Sequence, residues 1–278
     1  MQRFHKKPEK GLPSVLFSGA AACVKGGFPA MLKGFPDDAI VTSEENATNF
    51  ANTRISEGAD YLKIFINGDG LPDPKFQKII KDIGDQNDKF IVTHAPDFQA
   101  HDIARSVGGK FITHVPKDRA LNETGVMEMK TNNQVAIPTL IMSQNLINIG
   151  RHFFHKDWDY KSSKDSVTLM YNKSVPILVG TDASKPIGFV GYGDTMHTEM
   201  SLLYDAGLTN EDILRGATSL PAYYFGLSDR GKIATGMRAD LLLLKENPLE
   251  NINNSRTIDT VWTAGAVAFK GSSSSALD

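Results

Sequence analysis

The chain has 278 residues, 41% of them hydrophobic, and a formal net charge of −2. This length suits one large α/β domain, or a barrel with a small appendage. The weak charge argues against nucleic acid or an anionic membrane as partner, and no apolar run reaches the roughly 20 residues that span a bilayer. Cys23 is the only cysteine, which excludes an internal disulfide. Without the apolar core of a signal peptide, we expect a soluble, cytoplasmic protein.

The N-terminal part of the chain predicts alternating strands and helices. Strands are expected at 13–18 and 60–67, and helices from the hydroxyl and acidic residues at 42–45 to about residue 57, and from 74 to about 83. A further helix is predicted at 98–107, where apolar residues are spaced for one face and Gly108 follows.

Two short apolar segments, 90–94 and 110–114, flank the helix at 98–107, and each ends on a histidine, His94 and His114. This β-α-β pattern implies parallel strands with a right-handed crossover. Both histidines are therefore expected at the carboxyl ends of neighbouring strands, where α/β proteins build their sites. A neutral imidazole is the commonest nitrogen ligand of a catalytic metal. Loop residues and metal ligands are about equally good interpretations at this point.

The rest of the chain continues the alternation and then changes. Helices are predicted at 118–132, 165–173, 195–206 and 210–218, strands at 134–142 and 176–181, and a long aromatic loop or lid at 144–162. From Gly231 onward, short strands at 239–244, 257–263 and 266–269 predict a small antiparallel meander. Residues 271–278 are expected to be a flexible tail.

Several side chains are candidates for chemistry. Lys63 interrupts an apolar strand, so it is either an edge lysine that reaches solvent or an amine with altered chemistry. Asp182 follows an apolar strand, as a cap or as an oxygen ligand and proton acceptor. His152 and His155 lie in the predicted lid, where they would meet substrate.

His197 and His101 fall on predicted helices. His197 is either an ordinary helix histidine or a substrate-binding residue, and His101 is expected to face away from the strand ends.

Lys63, His94, His114 and Asp182 together resemble the amidohydrolase superfamily of metal-dependent hydrolases, nearest to its imidazolonepropionase-like and prolidase-like branch. Two later stretches carry the same resemblance. They are His197-Thr198-Glu199-Met200 with Ala206-Gly207-Leu208-Thr209 and Gly216-Ala217-Thr218, and Gly231-Lys232-Ile233 with Ala239-Asp240-Leu241, Asn247-Pro248-Leu249 and Thr263-Ala264-Gly265.

The resemblance implies a TIM-like (β/α) barrel in the α/β class with a small C-terminal antiparallel β subdomain. It also implies a divalent metal, expected to be zinc, bound by Lys63 as a carboxylated lysine, by His94 and His114, and by Asp182. Asp182 would in addition shuttle the proton of the attacking water. Residues 1–230 would form the barrel and 231–270 part of a β-sandwich.

One departure from the family pattern concerns the first metal. The family's first barrel strand ends in His-x-His, and no His-x-His occurs in this sequence. The six predicted strands match the family's third to eighth, so we expect an incomplete barrel that holds one ion rather than two. A homo-oligomer or a missing N-terminal segment would supply the remaining strands.

The sequence therefore predicts a hydrolase of a C–N bond in an amide, dipeptide or cyclic amide. The alternative is a catalytically impaired remnant that binds a small molecule or a protein. An unrelated α/β protein with structural histidines is a third interpretation, which the C-terminal motifs disfavour.

Overall fold

The computed structural model describes residues 11–66, 73–154, 157–184 and 190–271. These residues fall into two compact units. One unit spans Leu16–Tyr192, and the other combines the described residues of 1–15 with those of 193–271. The predicted boundaries after residues 230 and 270 remain predictions.

A four-stranded parallel sheet forms the centre of the first unit. Its strands, β1 (Leu62–Phe65), β2 (Ile91–His94), β3 (Phe111–Thr113) and β4 (Val135–Ile137), lie in sequential order. β2 and β3 are buried over most of their length, as expected for parallel strands covered on both faces. At the two sides, single-residue parallel bridges join Ala22 to Ile64 and Ile177 to Ala136. Within the described residues the sheet stays open and does not close into a barrel.

Helices alternate with these strands. In the first unit they are α1 (Glu44–Ser56), α2 (Pro74–Gln86), α3 (Phe98–Val107), α4 (Glu123–Thr131), α5 (Leu140–Phe154) and α6 (Tyr160–Asn172). The predicted start of α1 is confirmed by the Ser43 hydroxyl, which accepts from the Asn46 amide. The predicted bounds of α3 are confirmed at both ends. The helix ends at Val107 because Gly108 takes a left-handed conformation (φ +78°).

The strand predicted at 13–18 is wrong. This stretch is irregular, and Phe17 in it is paired with Asp60: the Phe17 amide donates to the Asp60 carboxylate, and the Asp60 amide donates to the Phe17 carbonyl. The position beside β1 belongs to Ala22, which exchanges backbone hydrogen bonds with Lys63 and Phe65.

The prediction of a strand at 134–142 followed by a lid at 144–162 is also wrong. β4 ends at Ile137 because Pro138 has no N–H to continue the ladder, and α5 begins three residues later. Leu140, Ile141 and Ile147 are buried, so burial of an apolar helix face outweighs the loop-like composition of the segment.

The strand predicted at 176–181 is reduced to the single bridge at Ile177. Ala136 donates to the Pro176 carbonyl and Leu178 donates to the Ala136 carbonyl. Asp182 still follows this bridge, at the same end of the sheet as the ends of β3 and β4.

The second unit holds α7 (Asp194–Asp205), α8 (Asn210–Ala217) and α9 (Ser219–Tyr224), followed by β5 (Leu241–Leu244), β6 (Ile258–Thr263) and β7 (Ala266–Lys270). The predicted meander is confirmed: β6 pairs antiparallel with both β5 and β7. α9 was not predicted. No described helix of the chain combines the length and apolarity needed to cross a membrane.

Candidate active site

Two imidazoles meet at the carboxyl end of the parallel sheet. His94 is the last residue of β2, and His114 follows β3 directly. The register pairs His94 with Thr113, which brings the two rings to 4.3 Å between centroids, nearly perpendicular at 77°. Nδ1 of His94 lies 2.6 Å from Nε2 of His114. The predicted convergence of these two side chains is therefore seen in the structure.

Lys63 joins the pair from β1. Its ammonium donates to the Thr113 hydroxyl (3.0 Å), and that hydroxyl donates to the Thr93 carbonyl (3.1 Å). Burial lowers the pKa of Lys63 to about 8, although the charge of Asp182 acts in the opposite direction. A neutral amine is thus accessible slightly above neutral pH, which favours the interpretation of Lys63 as a chemically altered lysine.

Both histidines are held in the neutral form. Burial lowers the pKa of His94 and of His114 well below the usual value, and the positive charges of Lys63 and Lys117 lower both further. The Phe65 ring stacks on His94 at 4.0 Å between centroids and fixes the plane of that imidazole. Neutral rings with fixed planes have the form that metal coordination requires.

Lys117 is a buried cation, 5% exposed, beside the two histidine loops. Its ammonium pairs with Asp97 (2.7 Å) and donates to the Pro96 carbonyl (3.2 Å), and it lies 4.6 Å from the Trp158 ring. The backbone amide of Lys117 also donates to Pro96. Lys117 therefore ties the loop after His94 to the loop after His114.

The charges of Asp182 and Lys63 act on each other, which links Asp182 to this cluster. Burial of its carboxyl raises the pKa, and the charge of Lys63 lowers it, although the residue as a whole is exposed. An exposed carboxylate with a raised pKa is suited to exchange protons with both the site and the solvent. Its predicted roles as ligand and proton acceptor remain predictions.

Left-handed backbone recurs at this end of the sheet. His114 (φ +74°), Thr139 (φ +51°) and Asp182 (φ +57°) follow β3, β4 and the Ile177 bridge. Non-glycine residues rarely adopt this conformation, and a β-branched threonine is the least suited of the three. Thr139 Oγ1 lies 2.6 Å from Nδ1 of His114.

The other predicted histidines lie on helices or outside the described residues. The backbone of His152 lies in α5, which contradicts its predicted lid position, and His155 is outside the described residues. His197 lies on α7 in the second unit, where Nδ1 is 2.9 Å from the Ser255 hydroxyl. His101 is buried against Arg105 within α3.

Four further residues beside the two histidines were not predicted from the sequence: Thr139, Thr113, Phe65 and Lys117. Phe65 could have been inferred, because it shares a strand face with Lys63 at a spacing of two. Pro138 signalled an irregularity before Thr139, but nothing local indicated a left-handed threonine.

Comparison with known proteins decides the family. The sequence profile of the Amidohydrolase family matches residues 60–268. The chain belongs to the amidohydrolase family. This confirms the resemblance drawn from the sequence, including its imidazolonepropionase-like and prolidase-like side.

A curated relative is the imidazolonepropionase of Idiomarina loihiensis, 28% identical over 213 residues, which cover 75% of this chain and 48% of the relative. The amidohydrolase chain therefore spans about half the length of that relative.

Solved structures share the fold. A Xaa-Pro dipeptidase with methionine in its active site gives a TM-score of 0.78 at 20% identity, covering 94% of this chain and 69% of its own. A putative prolidase from Bifidobacterium longum gives 0.77 at 22%, covering 93% and 67%. Ochratoxinase from A. niger gives 0.76 at 21%, covering 94% and 67%. These similarities show an amidohydrolase fold of the TIM-like barrel type.

Members of this family typically depend on a metal, which requires side chains that can act as ligands. His94 and His114 fit as two nitrogen ligands, since both are neutral and their nitrogens face each other. Among the described residues, no group of three His, Cys, Asp or Glu side chains is placed to hold an ion. The predicted roles of a carboxylated Lys63 and of Asp182 as further ligands remain predictions.

Proposed function

We propose that this amidohydrolase hydrolyses a C–N bond in a small amide, a dipeptide or a cyclic amide, by means of a metal-activated water. One observation carries the proposal: the facing, neutral imidazoles of His94 and His114 at the carboxyl ends of adjacent parallel strands. The names of the relatives, an imidazolonepropionase and a Xaa-Pro dipeptidase, support this substrate class.

Each residue has a separate task in this proposal. His94 and His114 hold one divalent ion, with Lys63 as the third ligand once its amine has been carboxylated. The ion, when bound, lowers the pKa of its water toward 7 and polarises the substrate carbonyl. Asp182 accepts the proton of the attacking water and passes it to the leaving nitrogen. Lys117 and Phe65 keep the two imidazoles in place.

A second candidate function is a non-catalytic binding module. It is favoured by the small number of ligands, because among the described residues no third His, Cys, Asp or Glu is placed to hold an ion together with the pair. Such a protein would retain affinity for a small molecule or a partner chain without turnover.

The test is hydrolysis of dipeptides and N-acyl amino acids by the full chain supplied with zinc or manganese. We expect His94→Ala and Asp182→Asn to abolish turnover. His101→Asn is the matched control, because it removes a buried imidazole that contacts Arg105 outside the site. Zinc binding without turnover in the wild type would favour the binding module, and absence of both would refute the proposed hydrolase.

A further inference from the structure

Thr139 occupies the turn between β4 and α5 and is 3% exposed. Its carbonyl accepts from the Ser143 amide (3.1 Å), so it stands at the N-cap of α5. A threonine at an N-cap normally has extended backbone, whereas Thr139 has a φ of +51°. This conformation places its hydroxyl oxygen 2.6 Å from Nδ1 of His114.

The backbone of Thr139 is therefore strained at one well-defined point. The left-handed region is unfavourable for a β-branched residue, and strain of this kind persists where the surrounding structure enforces it, often at functional sites. The His114 amide donates to the Ile137 carbonyl (2.9 Å), so the turn that carries Thr139 is anchored to the histidine that its hydroxyl contacts.

We propose that Thr139 is a positioning residue whose hydroxyl oxygen accepts a hydrogen bond from Nδ1–H of His114 and so leaves Nε2 of His114 free of a proton and turned toward His94. The two ring nitrogens of a histidine are coupled, because in the neutral ring one carries the proton and the other the lone pair. This inference rests on the proposed function, since a bare Nε2 is the form that takes a divalent ion.

The hydrogen-bond directions follow from this assignment. In the metal-free protein, Nδ1–H of His94 donates to Nε2 of His114, and Nδ1–H of His114 donates to Thr139 Oγ1. The opposite assignment would place the proton on Nε2 of His114, which would have to lose it before binding an ion. Under the proposed assignment His114 is already in the binding form, and only His94 has to release the proton on Nδ1 before an ion can bind between the two rings. Outer contacts of this kind typically change metal affinity 10- to 100-fold when removed.

The first test reads the tautomer directly in the metal-free full chain. Histidine ring nitrogens are labelled with ¹⁵N, and long-range ¹H–¹⁵N spectra are recorded at pH 7.5, with His114 assigned by the loss of its signals in His114→Gln. We expect Nδ1 to be protonated in the wild type and in Thr139→Ser, which keeps the hydroxyl. Thr139→Val keeps the β-branched shape and loses the hydroxyl, and we expect it to mix the two tautomers.

The second test measures zinc affinity by calorimetry. We expect Thr139→Val to weaken zinc binding at least 10-fold and Thr139→Ser to change it less than 3-fold, with similar thermal melting of the two variants. Thr139→Ala provides a second hydroxyl-free variant in case Thr139→Val does not fold. A wild-type Nε2–H tautomer, or an unchanged tautomer in both hydroxyl-free variants, would overturn the inference. A wild type that binds no zinc would instead refute the proposed function, and the tautomer measurement would still decide the role of Thr139.

Discussion

The segment from β2 through α3 to the end of β3 carries three histidines, and their side chains have different surroundings. His94 and His114 face each other at the strand ends. His101, one turn into α3, lies against Arg105 with Nδ1 3.4 Å from the guanidinium. Burial, followed by the charge of Arg105, lowers the pKa of His101 to about 3. The sequence predicted that His101 faces away from the site, but it did not predict that His101 is buried beside a cation. The buried Arg105 forms ion pairs with Asp102 and Glu128, which belong to two different helices, and such a contact depends on tertiary packing.

His101 gives a prediction about stability in acid. Its pKa is about 3 in the folded chain and about 6.5 unfolded, so the unfolded state binds more protons below pH 6.5. Its contribution is fully present above pH 6.5 and is lost progressively as the pH falls toward 3. We expect wild type to lose about 2 kcal/mol more than His101→Gln between pH 6.5 and 4.5, since one pKa unit corresponds to about 1.4 kcal/mol.

Urea unfolding curves of both proteins at several pH values provide the measurement. Parallel pH profiles of wild type and His101→Gln would show that the His101 ring is protonated as readily in the folded state as in the unfolded chain.

At the scale of elements, local signals predicted the helices better than the strand ends. α3 is bounded by Gly108 in sequence and in structure. Residues 134–142 mislead because they contain the end of a strand, a left-handed turn and the start of α5 within one apolar run. The pairing of β4 with β3 determines where the strand in this run ends. The local sequence of residues 134–142 does not show which strand they pair with.

Gly84 gives a prediction about how α2 packs on the sheet. A glycine inside a helix is ordinarily improved by alanine, by about 0.5–1 kcal/mol. Here a Cβ would lie 2.7 Å from the Lys89 carbonyl oxygen and 3.1 Å from Ile91 Cδ1. Because overpacking typically costs 1–3 kcal/mol, we expect Gly84→Ala to lower the free energy of unfolding by about 1 kcal/mol.

The exposed Gln86 of the same helix supplies the control. Gln86→Ala should leave chemical denaturation within about 0.5 kcal/mol of wild type, as surface substitutions usually do. A Gly84→Ala variant that is more stable than wild type would contradict this close packing of α2 on the sheet.

At the scale of the whole molecule, the family and fold class were predictable, whereas the assembled site was only partly so. The resemblance named Lys63, His94, His114 and Asp182, and the structure brings the first three together. Thr139 lies 25 residues after His114 and meets it only through tertiary packing, so no spacing rule could have grouped these two residues.

The ligand set predicts at most one tightly bound divalent ion per chain. Lys63 must lose its proton before it can be carboxylated and bind, and its pKa is about 8. We therefore expect zinc occupancy to rise as the pH increases through about 8 and as bicarbonate is added.

Elemental analysis of protein dialysed against zinc, with and without bicarbonate, measures this occupancy. Lys63→Met is the matched variant, and we expect its zinc content to be lower and insensitive to bicarbonate. Two equivalents of zinc per wild-type chain would contradict the ligand count.

The one-residue bridges at the two sides of the sheet have a consequence for partial opening. Ala22 makes two backbone hydrogen bonds to β1, and the Ile177 segment is attached to β4 by two, through Pro176 and Leu178. In contrast, β2 and β3 are joined over three residue pairs and are buried. Segments with few such bonds open at lower free energy than the core. Asp182 follows the bridge at Ile177, while His94 and His114 belong to the central strands. A fluctuation that releases the Ile177 segment would thus move the proposed proton carrier, Asp182, away and leave the imidazole pair intact, so that on the proposed mechanism ion binding and turnover would be lost at different free energies of opening.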